Sequence, residues 1–385
     1  MISAYLTMIL PIRVLHVVHQ MNRAGTETLL MHIYRKIDRS RVQFDFLVHT
    51  DLPGQYDDEI LQLGGKIIII SQSPSQNYLK YKQKLRNIFL EHGPYQCIHS
   101  HLLLLSGIIF ETAHQSHIPL LVVHSHLSTD IKRNSIYRRV YGYYMRTLIA
   151  RFATHMIAVS KSSGEWLFGS NWLHDSRSKI IHNAMDLEPF RKLNPDRTKL
   201  REILGLPING IIIGHIGRFV EQKNHRKVIE IFGTFEKDLP SAHLLLIGEG
   251  PLESEVKLMI TSYGLEDKVL MLGVRKDIPE LMNIFDLFLF PSLHEGLGIV
   301  LIEAQAAGVP CLTSDTIPPE ADLGLGLMKQ MPLDATADDW ASAAINLIKP
   351  VRICWPDREA ALIKNHYEIS ELVNILQDIY LVDHA

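Results

Sequence analysis

The sequence predicts an α/β fold of two Rossmann-like domains, each a parallel sheet covered by helices on both faces. Three observations carry this. Short β-rich apolar runs alternate with helical stretches over nearly the whole chain. The runs are continuously hydrophobic, as strands buried on both faces must be. The alternation then stops in a polar stretch near the middle and starts again. The chain has 385 residues, and at roughly 150 per domain that allows two or three domains.

In the first half, strands are expected at Val14–Val18, Phe44–Val48, Lys66–Ile70, Cys97–Ser100, Leu120–His124 and His155–Ser160. Helical patterns lie between them at Thr26–Ile37, Asp57–Leu63, Tyr81–His92, Ser106–His114 and Ile136–Arg151. The second set of strands is Ile211–Ile216, His243–Ile247, Val269–Leu272, Leu287–Pro291 and Val309–Thr313. Its helices are expected near His225–Lys237, Pro251–Tyr263, Ile278–Phe285, Gly298–Ala307 and Asp338–Ile348. Asn183–Phe190 and the polar stretch after it form the expected boundary. Ligands of such folds sit at the C-terminal ends of the strands, so a cleft between the domains is the expected site.

Composition removes several classes of function. Lys plus Arg is 39 and Asp plus Glu is 42, a net charge of −3, without the basic excess of a nucleic-acid binder. Apolar residues are 46% and charged residues 21%, which excludes wholesale disorder. Cys97, Cys311 and Cys354 form no CxxC pair, so neither a disulfide framework nor a cysteine zinc site is expected; they suit a reducing cytoplasm. No apolar run reaches the ~18 residues of a membrane span. Met1–Leu10 is apolar but lacks a basic start and a cleavage site, and reads as a loose leader, with Met8 as an alternative start.

The stretch Asp286–Ala307, DLFLFPSLHEGLGIVLIEAQAA, is the most informative. A strand ends at Pro291, a loop carries Glu295, Gly296 and Gly298, and a helix comes next with Glu303 inside it. Glycines let backbone approach a ligand, and a helix N-terminus offers unpaired N–H groups and a positive dipole end, together a diphosphate site. Carboxylates would repel phosphate, so Glu303 suits ribose hydroxyls and Glu295 the hydroxyls of a second sugar. Gly217-Arg218-Phe219-Val220-Glu221-Gln222-Lys223-Asn224 sets Arg218 and Lys223 at the end of the second domain's first strand. Two cations there make a clamp for a departing diphosphate.

These residues resemble the retaining glycosyltransferase family 4 group of the GT-B fold, in particular bacterial enzymes of exopolysaccharide and capsule assembly. Glu295…Glu303 matches the family's E-x7-E motif, GRFVEQKN its Gly-Arg…Lys segment, Gly248-Glu249-Gly250-Pro251 its G-x-G-P loop, and Gly273–Leu281 its base-side segment. Asn183-Ala184-Met185-Asp186 stands where the family commonly has N-G-V-D. The resemblance implies that Arg218 and Lys223 hold the diphosphate. Backbone amides of Gly298, Ile299 and Val300 would reach phosphate and sugar, Glu303 the ribose and Glu295 the donor sugar, with Arg275 near the base. Ala24-Gly25-Thr26-Glu27 resembles the family's G-G-x-E loop, with Ala24 replacing the first glycine and Gly25 kept.

Among the 20 histidines, two triplets stand out: His99-Ser100-His101 and His124-Ser125-His126. Four imidazoles at strand ends could ligate zinc, but no carboxylate of matching spacing accompanies them, and no metal is assigned. The resemblance instead matches His126 to a histidine that contacts the donor sugar near the reacting carbon, although Leu127 stands next where the family has Asp or Gly. His101 and His124 are acceptor-side candidates.

From 131 to 152 the chain carries Lys132, Arg133, Arg138, Arg139, Arg146 and Arg151 and no acid, with tyrosines at helical spacing. That suits an anionic membrane surface, the rival being a core stripe of tyrosines. Tyr367–Leu381 reads as an amphipathic helix returning to the first domain. The domains expected are therefore 1–187 with 367–385, for the acceptor, and 188–366, for the nucleotide-sugar donor. The expected function is transfer of a sugar, with retention, from a nucleotide diphosphate-sugar (UDP-sugar by the resemblance) to a glycan or polyprenyl-diphosphate-linked hydroxyl. It would run in the cytoplasm without a metal cofactor, and peripherally at the inner face of the plasma membrane if the basic stretch is an anchor and not a core stripe. The alternatives are a nucleotide-sugar epimerase on the same fold and a non-catalytic sugar-nucleotide-binding protein. A dehydrogenase is disfavoured because no G-x-G-x-x-G stands after either first strand.

Overall fold

The computed structural model describes residues 10–71, 77–126, 136–193, 196–348 and 353–381. The expectations for residues 1–9, Leu127, Lys132, Arg133 and 382–385 lie outside the described residues. The chain divides into two compact units, Met1–Ala184 with Ile369–Ala385, and Met185–Glu368.

In the first unit the strands are β1 (Ile12–Val17), β2 (Val42–Val48), β3 (Ile67–Ile69), β4 (Cys97–Ser100), β5 (Leu120–Ser125), β6 (His155–Ala158) and β7 (Ser178–Ile180). They form one sheet in the order β3-β2-β1-β4-β5-β6-β7, and every pairing is parallel. The second unit holds β8 (Ile212–Ile216), β9 (His243–Ile247), β10 (Val269–Met271), β11 (Leu287–Phe290), β12 (Cys311–Ser314) and β13 (Met328–Met331). Their order is β10-β9-β8-β11-β12-β13, again all parallel. β2, β4, β5, β11 and β12 are buried along their whole length, which is why they read as mainly apolar runs, with buried polar residues at Gln43 and Asp45 and at the C-terminal ends of β4, β5 and β12. Sequence order reverses between β1 and β4 and again between β8 and β11, where loops part to leave crevices for ligands.

Two strands go unannounced in the sequence, and both are edges. β7, Ser-Lys-Ile, is partly exposed at its first residue and exposed at the other two, and β13, Met-Lys-Gln-Met, is half polar. Neither carries an apolar run, because neither has a buried residue; the opposite edges, β3 and β10, each bury one and are apolar throughout. The helix Lys161–Phe168 is equally hard to foresee. It begins in a capping box in which Ser160 and Ser163 satisfy one another's backbone, and no acidic residue marks its first turn.

Two packing details hold the candidate sites in place. The helices Ser106–Gln115 and Ile136–Phe152 pack against each other, and they cross closely because Gly107 has no side chain: a Cβ there would lie 2.7 Å from the carbonyl oxygen of Met145. The last helix, Ile369–Leu381, packs Ile369, Leu372, Val373, Leu376, Ile379 and Tyr380 into the same core as Val14, Phe44 and Val122. Its apolar face therefore completes the first unit. Among the described residues no helix is long and apolar enough to cross a membrane.

Candidate active site

At the C-terminal edge of the second sheet, three crest loops are knitted together by backbone. Gly217 donates to the carbonyl of Ile247 at 2.9 Å and Phe219 to that of Glu249 at 2.9 Å, while Leu252 donates to Phe219 at 3.0 Å. Gly248 donates to Gly273 at 2.9 Å. Such closeness requires glycine. Gly248 has φ +134°, and a Cβ on it would lie 2.2 Å from the oxygen of Gly217.

The loop after β8 is fastened equally firmly to the loop after β11. Leu293 donates to the Gln222 carbonyl at 2.8 Å. The side chain of Gln222 donates to His294 O at 2.8 Å, and that of Asn224 to Pro291 O at 3.1 Å. Lys223 Nζ closes the junction on Glu295 Oε1 at 2.6 Å, with side-chain exposures of 17% and 8%. The ammonium also sits 4.7 Å from the centre of the Phe290 ring, within cation–π range. The expected phosphate cation and the expected sugar carboxylate are thus one ion pair.

Arg218, by contrast, is exposed, and among the described residues it forms no ion pair. Gly298, at φ +78°, is the N-cap of the helix Ile299–Ala306, where a left-handed residue turns the chain into the helix. The amides of Ile299 and Val300 lie in its first turn and have no intrahelical acceptor. Glu303 lies one turn on, and burial pushes its carboxyl up to about 7. Arg275 is gripped by Asp277 through two nitrogens, at 2.8 and 2.6 Å, so it is held in its own loop. Beneath the crest, His215 Nδ1 donates to Leu289 O over 2.8 Å, and His225 stacks on Phe219 at 4.2 Å. Both histidines pack the site from below.

In the first unit Ala24 is the N-cap of the helix Gly25–Lys36 with φ −119° and ψ 169°. That extended backbone suits alanine as well as glycine, so the replacement in the loop carries no strain. Gly25 is exposed, with open space where a Cβ would go.

The two His-x-His triplets converge, and a fifth ring joins them. In register His16 lies beside His99 on neighbouring β1 and β4, and residues paired across a parallel sheet share a face; His101, two further on, stays on that face. His16 Nδ1 and His101 Nε2 are 3.2 Å apart, and His101 Nδ1 and His126 Nε2 are 3.0 Å apart. His99 Nδ1 meets the Tyr380 hydroxyl at 2.6 Å. His124 lies tilted against His126 with ring centres 4.1 Å apart. Burial keeps all five neutral: His16 is pushed down to about 3 and His126 to about 4, with contact from Asn183 working the other way. His99, His101 and His124 are lowered well below the ordinary range, first by burial and then by one another. The sequence announces the two triplets; His16 and Tyr380 are found only through register and the returning helix.

Comparison with known proteins places these features in a family. A family model described as Glycosyltransferase Family 4 matches residues 23–189, and one described as Glycosyl transferases group 1 matches residues 196–323. The chain is 36% identical over 372 residues to EpsF of Bacillus subtilis, a protein named as a glycosyltransferase, covering 96% of each. It is 28% identical over 232 residues, 59% of each chain, to the Escherichia coli UDP-Gal:alpha-D-GlcNAc-diphosphoundecaprenol alpha-1,3-galactosyltransferase. Among solved structures, Anabaena Alr3699/HepE with UDP and glucose superposes with a TM-score of 0.77 at 20% identity, covering 95% of this chain and 98% of that one.

The second unit yields two measurable consequences. Lys223→Met strands the Glu295 carboxylate without its cation and lowers stability in chemical denaturation by roughly 2–4 kcal/mol; adding Glu295→Gln restores most of the loss, the coupling a double-mutant cycle reads. Glu303 has a folded pKa raised from the usual 4.5 to about 7, so the folded state binds the extra proton. Its contribution to stability is therefore present below about 4.5 and lost as pH rises to about 7. Denaturation midpoints of Glu303→Gln should fall less than those of the native chain between pH 5 and 8.

Proposed function

The chain belongs to glycosyltransferase family 4, with the GT-B fold, and from that membership we propose that it moves a sugar from a UDP-sugar to a lipid-linked glycan acceptor with retention of anomeric configuration. The observation that carries the donor reading is the junction of Lys223 and Glu295 beside the first turn of the helix Ile299–Ala306. One cation, one carboxylate and unpaired amides stand where phosphate and sugar hydroxyls need opposite partners.

On this reading Arg218, Lys223 and the amides of Ile299 and Val300 take up charge as the bond between the anomeric carbon and the diphosphate oxygen breaks. Glu295 binds the hydroxyls of the sugar and keeps Lys223 aimed. Glu303 accepts from the ribose, for which an ionised carboxylate is the better acceptor. The acceptor hydroxyl forms its bond on the face the diphosphate leaves and passes its proton to a departing phosphate oxygen. His126 is assigned to the transferred sugar by the family resemblance, and a neutral imidazole there can donate or accept. The E. coli relative is named for a UDP-sugar donor and a diphosphoundecaprenol-linked acceptor, which supports the same classes here.

A lipid-linked acceptor needs a protein that reaches the membrane surface. The helix Ile136–Phe152 exposes Tyr137 at 84%, Tyr143 at 73%, Ile136 at 73% and Val140 at 65%, next to exposed Arg138 and Arg139. Its buried face is Gly142, Met145, Leu148 and Ile149, so the tyrosines are not a core stripe. An aromatic and basic face of this kind favours anionic headgroups.

Two assays test these assignments. Incubated with a panel of UDP-sugars, the protein should release UDP slowly from one of them, Arg218→Ala should cut the rate at least a hundredfold, and NMR of the glycoside formed should show the donor's anomeric configuration. An inverted product sinks the mechanism, and donor conversion without any acceptor identifies an epimerase. In flotation with phosphatidylglycerol vesicles, Tyr137→Ser with Arg139→Glu should abolish binding; undiminished flotation removes this helix as the anchor.

A further inference from the structure

The five-histidine cluster of the first unit contains more ligating capacity than hydrogen bonding uses. His16 and His99 are fully buried and His101 is 8% exposed. Nε2 of His16, of His99 and of His124 have no partner although they are buried. A neutral imidazole presents one N–H and one lone pair, and leaving either unmet away from water costs free energy, so each such atom calls for an explanation. The Nε2 of His99 is one of them, and His99 stands in a triad with His16 and His101.

We propose that His16, His99 and His101 form a binding site for one borderline divalent transition-metal ion of the zinc class. One nitrogen from each ring can be chosen so that all three lie within 4.8 Å of one another. Ligands of a tetrahedral zinc at about 2.0–2.1 Å stand roughly 3.3 Å apart, and Nδ1 of His16 faces Nε2 of His101 at 3.2 Å.

In two of the three rings the second nitrogen is held by a partner, as metal-bound histidines require; His16, ligating through Nδ1, keeps its Nε2 without one. His99 has Nδ1 on the Tyr380 hydroxyl at 2.6 Å, which leaves Nε2 for the ion. His101 has Nδ1 on His126 Nε2 at 3.0 Å, which leaves its own Nε2. A second triad, His101, His124 and His126, also meets the distance criterion, but it competes for His101. The inner triad leaves His126 as an orienting partner and His124 unligated. Three neutral nitrogens without a carboxylate select zinc, cobalt, nickel or copper over magnesium and calcium, which require oxygen. The fourth tetrahedral position falls to a water.

The site is independent of the transferase reading, because its readout is metal content and not turnover. The test is titration of the tag-free, chelator-stripped full chain with Zn²⁺ and with Co²⁺. One ion per chain is expected, with the visible absorption of tetrahedral cobalt. His16→Gln and His99→Gln should each weaken binding at least tenfold, while His174→Ala, on an exposed turn outside the cluster, should not. Absence of uptake by the native chain, or uptake undiminished in the His16→Gln/His99→Gln double variant, overturns the proposal. If those variants fail to fold, zinc-edge X-ray absorption of the native chain decides. Three imidazole shells at about 2.0–2.1 Å sustain the site, and their absence removes it.

Discussion

Everything functional in this protein hangs on a reversal of strand order. In a parallel sheet all strands deliver their C-terminal ends to one edge, and helices must return the chain across a face each time. Where the winding direction changes, between β1 and β4 and between β8 and β11, the loops on either side run to opposite faces and leave a gap. In the second unit the junction of Lys223 and Glu295 joins the loops that follow β8 and β11; in the first, His16 and His99 stand side by side on β1 and β4. Residues far apart along the chain become neighbours without any local signal, because the topology forces them to.

The chemistry at the second junction is economical in charge. Lys223 and Glu295 neutralise one another, so the pair can be largely buried without an isolated ion in a poor dielectric. Through the same geometry, the ammonium is immobilised by a carboxylate, an aromatic ring and a hydrogen-bonded loop before any ligand arrives. A group fixed in advance need not lose conformational freedom on binding, the ordinary penalty for a lysine. Arg218, exposed on the crest, has no such ion pair among the described residues.

Much of this is legible in the sequence, and what is not has identifiable causes. The buried strands are visible as mainly apolar runs, since burial on both faces favours apolar residues throughout; β9 is legible to the residue, His243–Ile247. Edge strands β7 and β13 are hidden because neither has a buried residue and both carry polar side chains, unlike the apolar edges β3 and β10. Lys223, Glu295, Gly298 and Glu303 stand out because glycines and charges at a strand-to-helix turn have few other uses. That Lys223 pairs with Glu295, that Arg275 is engaged by its neighbour Asp277, and that His16 joins the histidine triplets are not legible. Pairing depends on side-chain direction and sheet register, neither of which is written along the chain.

The contact between Tyr380 and His99 spans 281 positions, and the helix that makes it lies beyond the whole of the second unit. A ribosome emitting this chain therefore finishes the first sheet long before it supplies the helix that covers it. In the interval the apolar face around Val14, Phe44 and Val122 is open, and the second unit, continuous from Met185 to Glu368, is the first that can fold from residues already made. The order of maturation is then the reverse of the order of synthesis: the half begun first is sealed last.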